Sequence, residues 1–217
     1  MWRSSCRGGD ESPALAAGRA PGFEGEGDVV PVTVLEVGPC TVTQIKTLER
    51  DGYSALQLGY GTRKAKNVNR PMKGHLDKAG KGYFRVLREV RVDRAEEFQL
   101  GQEISSGEVF ESGDRVDVVG VTKGKGFGGT IKRWGFHRGP KTHGCKNVRE
   151  PGSMGCAAYP GRVIKGKRMS GQTGNKRFTV LNLRIVDIRP EENLVLVKGA
   201  IPGAKDGIVV IRKTDRK

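Results

Sequence analysis

Residues 115–144, RVDVVGVTKGKGFGGTIKRWGFHRGPKTHG, decide how the chain is read. The first seven, RVDVVGV, are β-branched and apolar enough for a strand. Immediately after them the sequence turns rich in glycine and cations. The basic character continues to residues 162–177, RVIKGKRMSGQTGNKR, and passes without a linker into FTVLNLRIVDI at 178–188. There Leu181, Leu183 and Ile185 alternate as on a strand. One strand runs in and another runs out, so the basic segment, 123–177, is an insertion in a β-domain and not a tail. A 55-residue stretch without periodicity is uncommon inside a domain and is usually functional or disordered.

Residues 120–177 hold 14 Lys or Arg, 14 Gly and one carboxylate, Glu150. Their net charge is +13, against +15 for the whole 217-residue chain, so the rest of the protein is nearly neutral. So many like charges repel and cannot be buried together. The segment is expected to be largely unfolded alone in water and ordered by a polyanion.

Outward from the insertion, the pattern is one of short strands. VVPVTVLEV (29–37) and CTVTQIKTL (40–48), separated by the Gly38-Pro39 turn signal, read as a hairpin. YSALQLGYG (53–61) and YFRVLREVRV (83–92) read as strands, as do NLVLVKGAI (193–201) and GIVVIRK (207–213). Residues 63–81 form a basic insertion that carries Lys64, Lys66, Arg70 and Lys73, with Pro71 placed to open a short helix. Residues 93–98, DRAEEF, fit one helical turn. The body, 29–122 and 178–217, is therefore all-β, a barrel or a sandwich. Residues 1–28 are rich in Gly, Ser, Pro and Ala, and are expected to be a disordered tail; Asp10, Glu11, Glu24 and Glu26 argue against a transit peptide.

The composition excludes several classes. No apolar run approaches the roughly 18 residues of a membrane span, and no basic amphipathic helix suits a bilayer surface. Cys6, Cys40, Cys145 and Cys156 are irregularly spaced with no signal peptide, which fits free thiols in a reducing compartment. Gly124, Gly126 and Gly129 formally match a dinucleotide fingerprint, but the residues that follow carry too much Gly and Pro for the helix that motif needs. Gly161, Gly166 and Lys167 approach a P-loop, but Arg168 stands where a hydroxyl must hold Mg²⁺. His137, His143, Cys145 and Cys156 match no zinc spacing, and no orienting residue accompanies a Cys–His nucleophile. No cofactor, metal or small-molecule substrate is implied, and no catalytic constellation.

Nucleic-acid binding remains. Glycine lets a backbone approach phosphates, and Lys and Arg neutralise them. The candidate contacts are Lys64, Lys66, Arg70 and Lys73 of the 63–81 insertion, and Lys123, Lys125, Lys132, Arg133, His137, Arg138, Lys141, His143, Lys146 and Arg149 on the outgoing arm. On the return they are Arg162, Lys165, Lys167, Arg168, Lys176 and Arg177. Trp134, among cations, suits stacking on an unpaired base; the bland alternative is a small apolar cluster with Phe127 and Ile131. Major-groove reading would want a helix or ribbon, so a folded RNA fits better than duplex DNA.

These stretches, together with GYSALQLGYG, RPMKGHLDKAG, THGCKNVREPGSMG, YPGRVIKGKRMSGQTGNKR and NLVLVKGAIPG, resemble the universal large-subunit ribosomal protein L-three family of bacterial or organelle type. The resemblance spans about 29–211. It implies a β-barrel of the translation-protein type with a long irregular extension. It implies large-subunit rRNA and neighbouring ribosomal proteins as partners, a place in the ribosome of the cytoplasm or an organelle, and a role in subunit assembly. By motif, Gly155, Cys156, Ala157 and Ala158 lie at the extension tip, near the peptidyl-transferase centre. Family members usually open with a strand of the type GxKxGMT. Residues 1–28 lack it, so nothing in the sequence shows which strand closes the barrel.

Overall fold

The computed structural model describes residues 11–24 and 28–214, and its strands outnumber its helices. Six of the strands form a closed ring: β1 (Glu11–Glu24), β2 (Asp28–Glu36), β7 (Arg115–Val121), β10 (Arg177–Arg189), β11 (Leu194–Lys198) and β12 (Ile208–Lys213). The order around the ring is β1-β12-β7-β10-β11-β2, with β2 pairing back to β1. All six pairings are antiparallel. The interior holds Leu35, Phe110, Val116, Val118, Ile185, Val195, Val197, Val209 and Ile211, all buried. Each such side chain contributes about 1.5–3 kcal/mol when removed from water.

A second sheet, order β5-β4-β3-β6, is made by β3 (Cys40–Lys46), β4 (Ala55–Thr62), β5 (Phe84–Arg91) and β6 (Glu103–Ile104). It buries Val42, Leu56, Leu58, Tyr60 and Val90 together with Cys40, whose Sγ contacts Gly38 O at 3.6 Å. Tyr60 links the two sheets by donating its hydroxyl to Glu36 O at 3.0 Å. Burial, with the Glu36 carboxylate nearby, pushes this phenol up to about 12. On the outer face, Lys46 pairs with Glu89 at 2.7 Å and donates to Tyr53 Oη. That contact raises the ammonium's pKa and lowers the carboxylate's.

Two expectations are corrected here. Residues 29–37 and 40–48 are not a hairpin. β2 belongs to the barrel, between β1 and β11, whereas β3 pairs with β4 and β6 in the second sheet. The Gly38-Pro39 turn carries the chain from one sheet to the other, and Val37 N donates to Asn193 O beside β11. The tail is corrected as well. Residues 11–24 form β1, which fills the gap between β12 and β2; the other residues of 1–28 expected to be disordered fall outside the description, except Asp28, which begins β2. ESPALAAGRAPGFE has little intrinsic strand preference. What recruits it is the unpaired edge that β2 and β12 would otherwise present. β1 pairs with β12 over Glu11–Leu15 and with β2 over Leu15–Glu24, so only Leu15 is paired on both sides. Single-sided pairing is the setting in which Pro13 and Pro21 are tolerated in a strand.

β10 carries a bulge. Its register against β7 shifts between Val180, opposite Val118, and Leu183, opposite Val116. Leu181 is thereby turned outward and is 45% exposed, while Ile185 stays buried. Asn182 takes a left-handed conformation, φ 59°, and its N–H donates to Asp117 Oδ1 at 2.9 Å. Arg212, the cross-strand partner of Asp117 on β12, reaches Oδ2 at 3.3 Å. One buried carboxylate thus pins the bulge and the neighbouring strand. Asp117→Ala removes the acceptor of a part-buried N–H and of a guanidinium that both meet a buried carboxylate, and is expected to cost about 2–3 kcal/mol. For a chain of this size that lowers Tm by roughly 4–12 °C, with Asp117→Asn recovering part of it. An unchanged thermal melt would show that the carboxylate holds neither element.

Residues 63–81 fold as one 3-10 turn, Ala65–Asn67, and a helix of seven residues, Arg70–Leu76, opened by Pro71. Leu76 is buried beneath it, and His75 Nε2 hydrogen-bonds to Gln57 Oε1 of β4 at 2.7 Å.

Candidate nucleic-acid interface

The chain divides into two compact units, and Thr122–Lys176 is one of them. Its two ends run side by side as a stem. Thr122 N donates to Lys176 O (3.0 Å), Asn175 N to Thr122 O (3.1 Å), Lys125 N to Thr173 O (2.8 Å) and Thr173 N to Gly126 O (2.8 Å). The ladder finishes in a pair of two-residue strands, β8 (Phe127–Gly128) and β9 (Gly171–Gln172). The segment therefore has more internal order than charge repulsion alone suggests. Gly174 is required twice over at the stem: its φ is +71°, and a Cβ there would run into Lys123 O. Gly171 lies against the Arg133 guanidinium, so a side chain there would displace that group from its place beside Met169.

A helix does begin directly after Gly129, contrary to the sequence expectation. It is five residues long, Thr130–Trp134, and stops at Gly135 in the left-handed conformation. Its last two residues lock it to the returning arm. Arg133 Nη1 and Trp134 Nε1 both donate to the Met169 carbonyl, at 2.9 and 2.8 Å. The Arg133 and Arg168 guanidinium carbons lie 5.0 and 5.6 Å from the indole ring, within cation–π range. Trp134 remains 41% exposed. Phe127 is 77% exposed, so it does not shield Trp134 in an apolar cluster.

Beyond the helix the chain has no regular secondary structure until β9, only turns such as Gly139 N to Val148 O and Lys167 N to Ile164 O. Among the cations singled out above, Lys123, Lys125, Lys132, Arg138, Lys141, Lys146 and Arg149 are exposed on the outgoing arm. Arg162, Lys165, Lys167, Arg168 and Lys176 are exposed on the return, and so is Arg177 at the start of β10. Only Arg133 is half-buried, through its bond to Met169. His137 and His143 are exposed, and so are Gly155, Cys156, Ala157 and Ala158. On the other unit Lys64, Lys66 and Arg70 are exposed and Lys73 is half-buried.

Electrostatics set this unit apart. Among the described residues every ion pair lies outside Thr122–Lys176. Thirteen cations there face a single carboxylate, Glu150. Such a surface lowers its free energy by condensing a polyanion and releasing the polyanion's counterions. Among the described residues no three His, Cys, Asp or Glu side chains gather in a group that could hold a metal. No helix among them is long and apolar enough to cross a membrane. Sequence reasoning missed the hub at Met169, because a backbone carbonyl leaves no mark in a sequence. It also treated Gly171 and Gly174 as generic small residues; their place opposite KGKGFGG was the available signal.

The comparisons with known proteins point the same way. The family model described as Ribosomal protein L3 matches residues 89–194. A "Large ribosomal subunit protein uL3" from Syntrophobacter fumaroxidans is 66% identical over 194 residues, covering 89% of this chain and 92% of its own. The protein of that name from Desulforapulum autotrophicum is 54% identical, over 88% of this chain and 92% of its own. The one from Syntrophus aciditrophicus is 52% identical, over 88% of each. With such identity sustained along nearly the whole length, the chain belongs to the ribosomal protein L3 family, whose members are structural and not enzymatic.

Proposed function

We propose that the chain is a structural constituent of the large ribosomal subunit in the cytoplasm, bound directly to large-subunit rRNA through Thr122–Lys176. The carrying observation is the exposed, internally unpaired cation array of that unit, on a chain whose relatives are named as large-subunit proteins. The mechanism is positional. The stem and the Met169 lock shape the arms, and the cations between them neutralise phosphates inside folded rRNA. Neighbouring large-subunit proteins are the further partners. Residues 155–158 form the tip directed toward the peptidyl-transferase centre, and the array supports assembly by drawing rRNA segments together. Sedimentation of ribosomal subunits through a high-salt gradient tests this. One copy retained per large subunit is expected. Substoichiometric protein, scattered over all RNA-containing fractions, would instead describe a non-specific RNA or DNA chaperone.

A further inference from the structure

The barrel unit contains a cavity of about 260 Å³ between the 63–76 insertion and β5. Its floor is apolar: Met72, Leu76, Phe84 and Leu87. Its rim is polar and cationic: Arg63, Asn67, Asn69 and Arg85. Among the described residues none of these four rim side chains takes part in a hydrogen bond or an ion pair within the chain. Asn69 precedes the Arg70–Leu76 helix, yet its side chain makes no capping bond. Residues 63–76 carry Arg63, Lys64, Lys66, Arg70 and Lys73 without a single carboxylate. The next two carboxylates along the chain are engaged elsewhere, Asp77 with Tyr83 and Glu89 with Lys46. Met72 is 39% exposed, a large apolar side chain left at the surface in the middle of a basic run.

We propose that this cavity is a second RNA site, which seats one unstacked base of single-stranded rRNA. The volume supports a single base. It lies just below the range of about 300–1,000 Å³ that encloses larger ligands, so a base enters while its sugar and phosphates remain outside. Outside is where Arg63, Arg85 and the flanking lysines stand. Base faces pack on apolar and aromatic side chains, here Phe84 and Met72, and amides read base edges, here Asn67 and Asn69. An acidic peptide would use the cations but would leave the apolar floor and both amides idle, so RNA is the better occupant. The inference rests on the rRNA-binding reading, but it concerns residues on the other unit.

The test uses the full-length protein and a single-stranded RNA decamer carrying 4-thiouridine, crosslinked by light and mapped by peptide mass. Crosslinks are expected on two stretches, one within 122–176 and one within 63–87. In the Arg63→Ala/Arg85→Ala variant the 63–87 crosslink is expected to fall about tenfold while the other persists. Met72→Glu, at an exposed position, should do the same, and a thermal melt confirms that both variants are folded. Crosslinks confined to 122–176 overturn the pocket and leave the main reading standing. So does equal labelling of 63–87 by a blunt duplex decamer, which would show a phosphate patch without a seated base. Displacement by an acidic decapeptide in place of competitor RNA assigns the cavity to a protein partner and overturns the proposal. Absence of crosslinks on either stretch overturns both readings.

Discussion

Affinity of the full chain for large-subunit rRNA is expected to fall about 10⁴-fold as monovalent salt rises from roughly 50 to 200 mM, a slope of log K against log[salt] of about −6 to −7. The magnitude follows from the cation census. Thirteen Lys or Arg lie in Thr122–Lys176, twelve of them exposed and none ion-paired to a carboxylate. If about eight meet phosphates, each releases close to one counterion, somewhat fewer for single strands. The cations of the barrel unit contribute less, because several are already bound to carboxylates: Lys46 to Glu89, Lys81 to Glu103 and Arg212 to Asp117. Filter binding or fluorescence anisotropy over a salt series gives the slope. A value shallower than about −2 would mean that the basic unit is not the main contact, whatever the affinity at one salt concentration.

Trp134→Ala is expected to impair assembled subunits while leaving the melt of the barrel unchanged. Trp134 belongs to neither buried cluster of the barrel unit and is 41% exposed. Truncating a core tryptophan would cost about 3–5 kcal/mol, but that site is not a core. The losses are one N–H donation to Met169 O and the two cation–π contacts with Arg133 and Arg168. Together these amount to about 2 kcal/mol, felt where the Thr130–Trp134 helix meets the returning arm. Amide exchange at Gly135, which closes that helix, should quicken about 30-fold, a 2 kcal/mol effect. If the exposed indole also stacks on a base, a further 1–3 kcal/mol is lost in the subunit. Trp134→Phe separates the two contributions. It keeps a ring for stacking and removes the Nε1 donor, so activity restored by Phe assigns the effect to the ring. Activity that stays low assigns it to the bond with Met169. A melt lowered by many degrees in the alanine variant would make Trp134 a folding residue and remove its functional role.

The sequence alone determined the features that rest on local composition and period. β7, β10, β11 and β12 are legible because Val, Ile and Leu recur in short runs bounded by Gly, Pro and Asn. The basic unit is legible because charge density needs no fold to be counted, and its family resemblance follows from the contiguous motif KGKGFGGTIKRWGF. The exposed positions of its cations were foreseeable on the same ground, since so many like charges cannot be buried together. Tertiary structure decided whatever depends on a partner distant in sequence. Glu11–Glu24 becomes a strand only because β2 and β12 offer it unpaired edges, a need its own Ala-, Gly- and Pro-rich residues do not express. Residues 29–37 and 40–48 look like a hairpin because each is a good strand next to a turn, yet their hydrogen-bonding partners lie in different sheets. The bulge at Asn182 is set by Asp117, 65 residues earlier, and it overrides the alternation that would have placed Leu181 inside. The lock of Trp134 depends on the carbonyl of Met169, 35 residues on. A side chain's own chemistry reports what it can bond; which backbone group arrives to be bonded is known only when the chain has closed on itself.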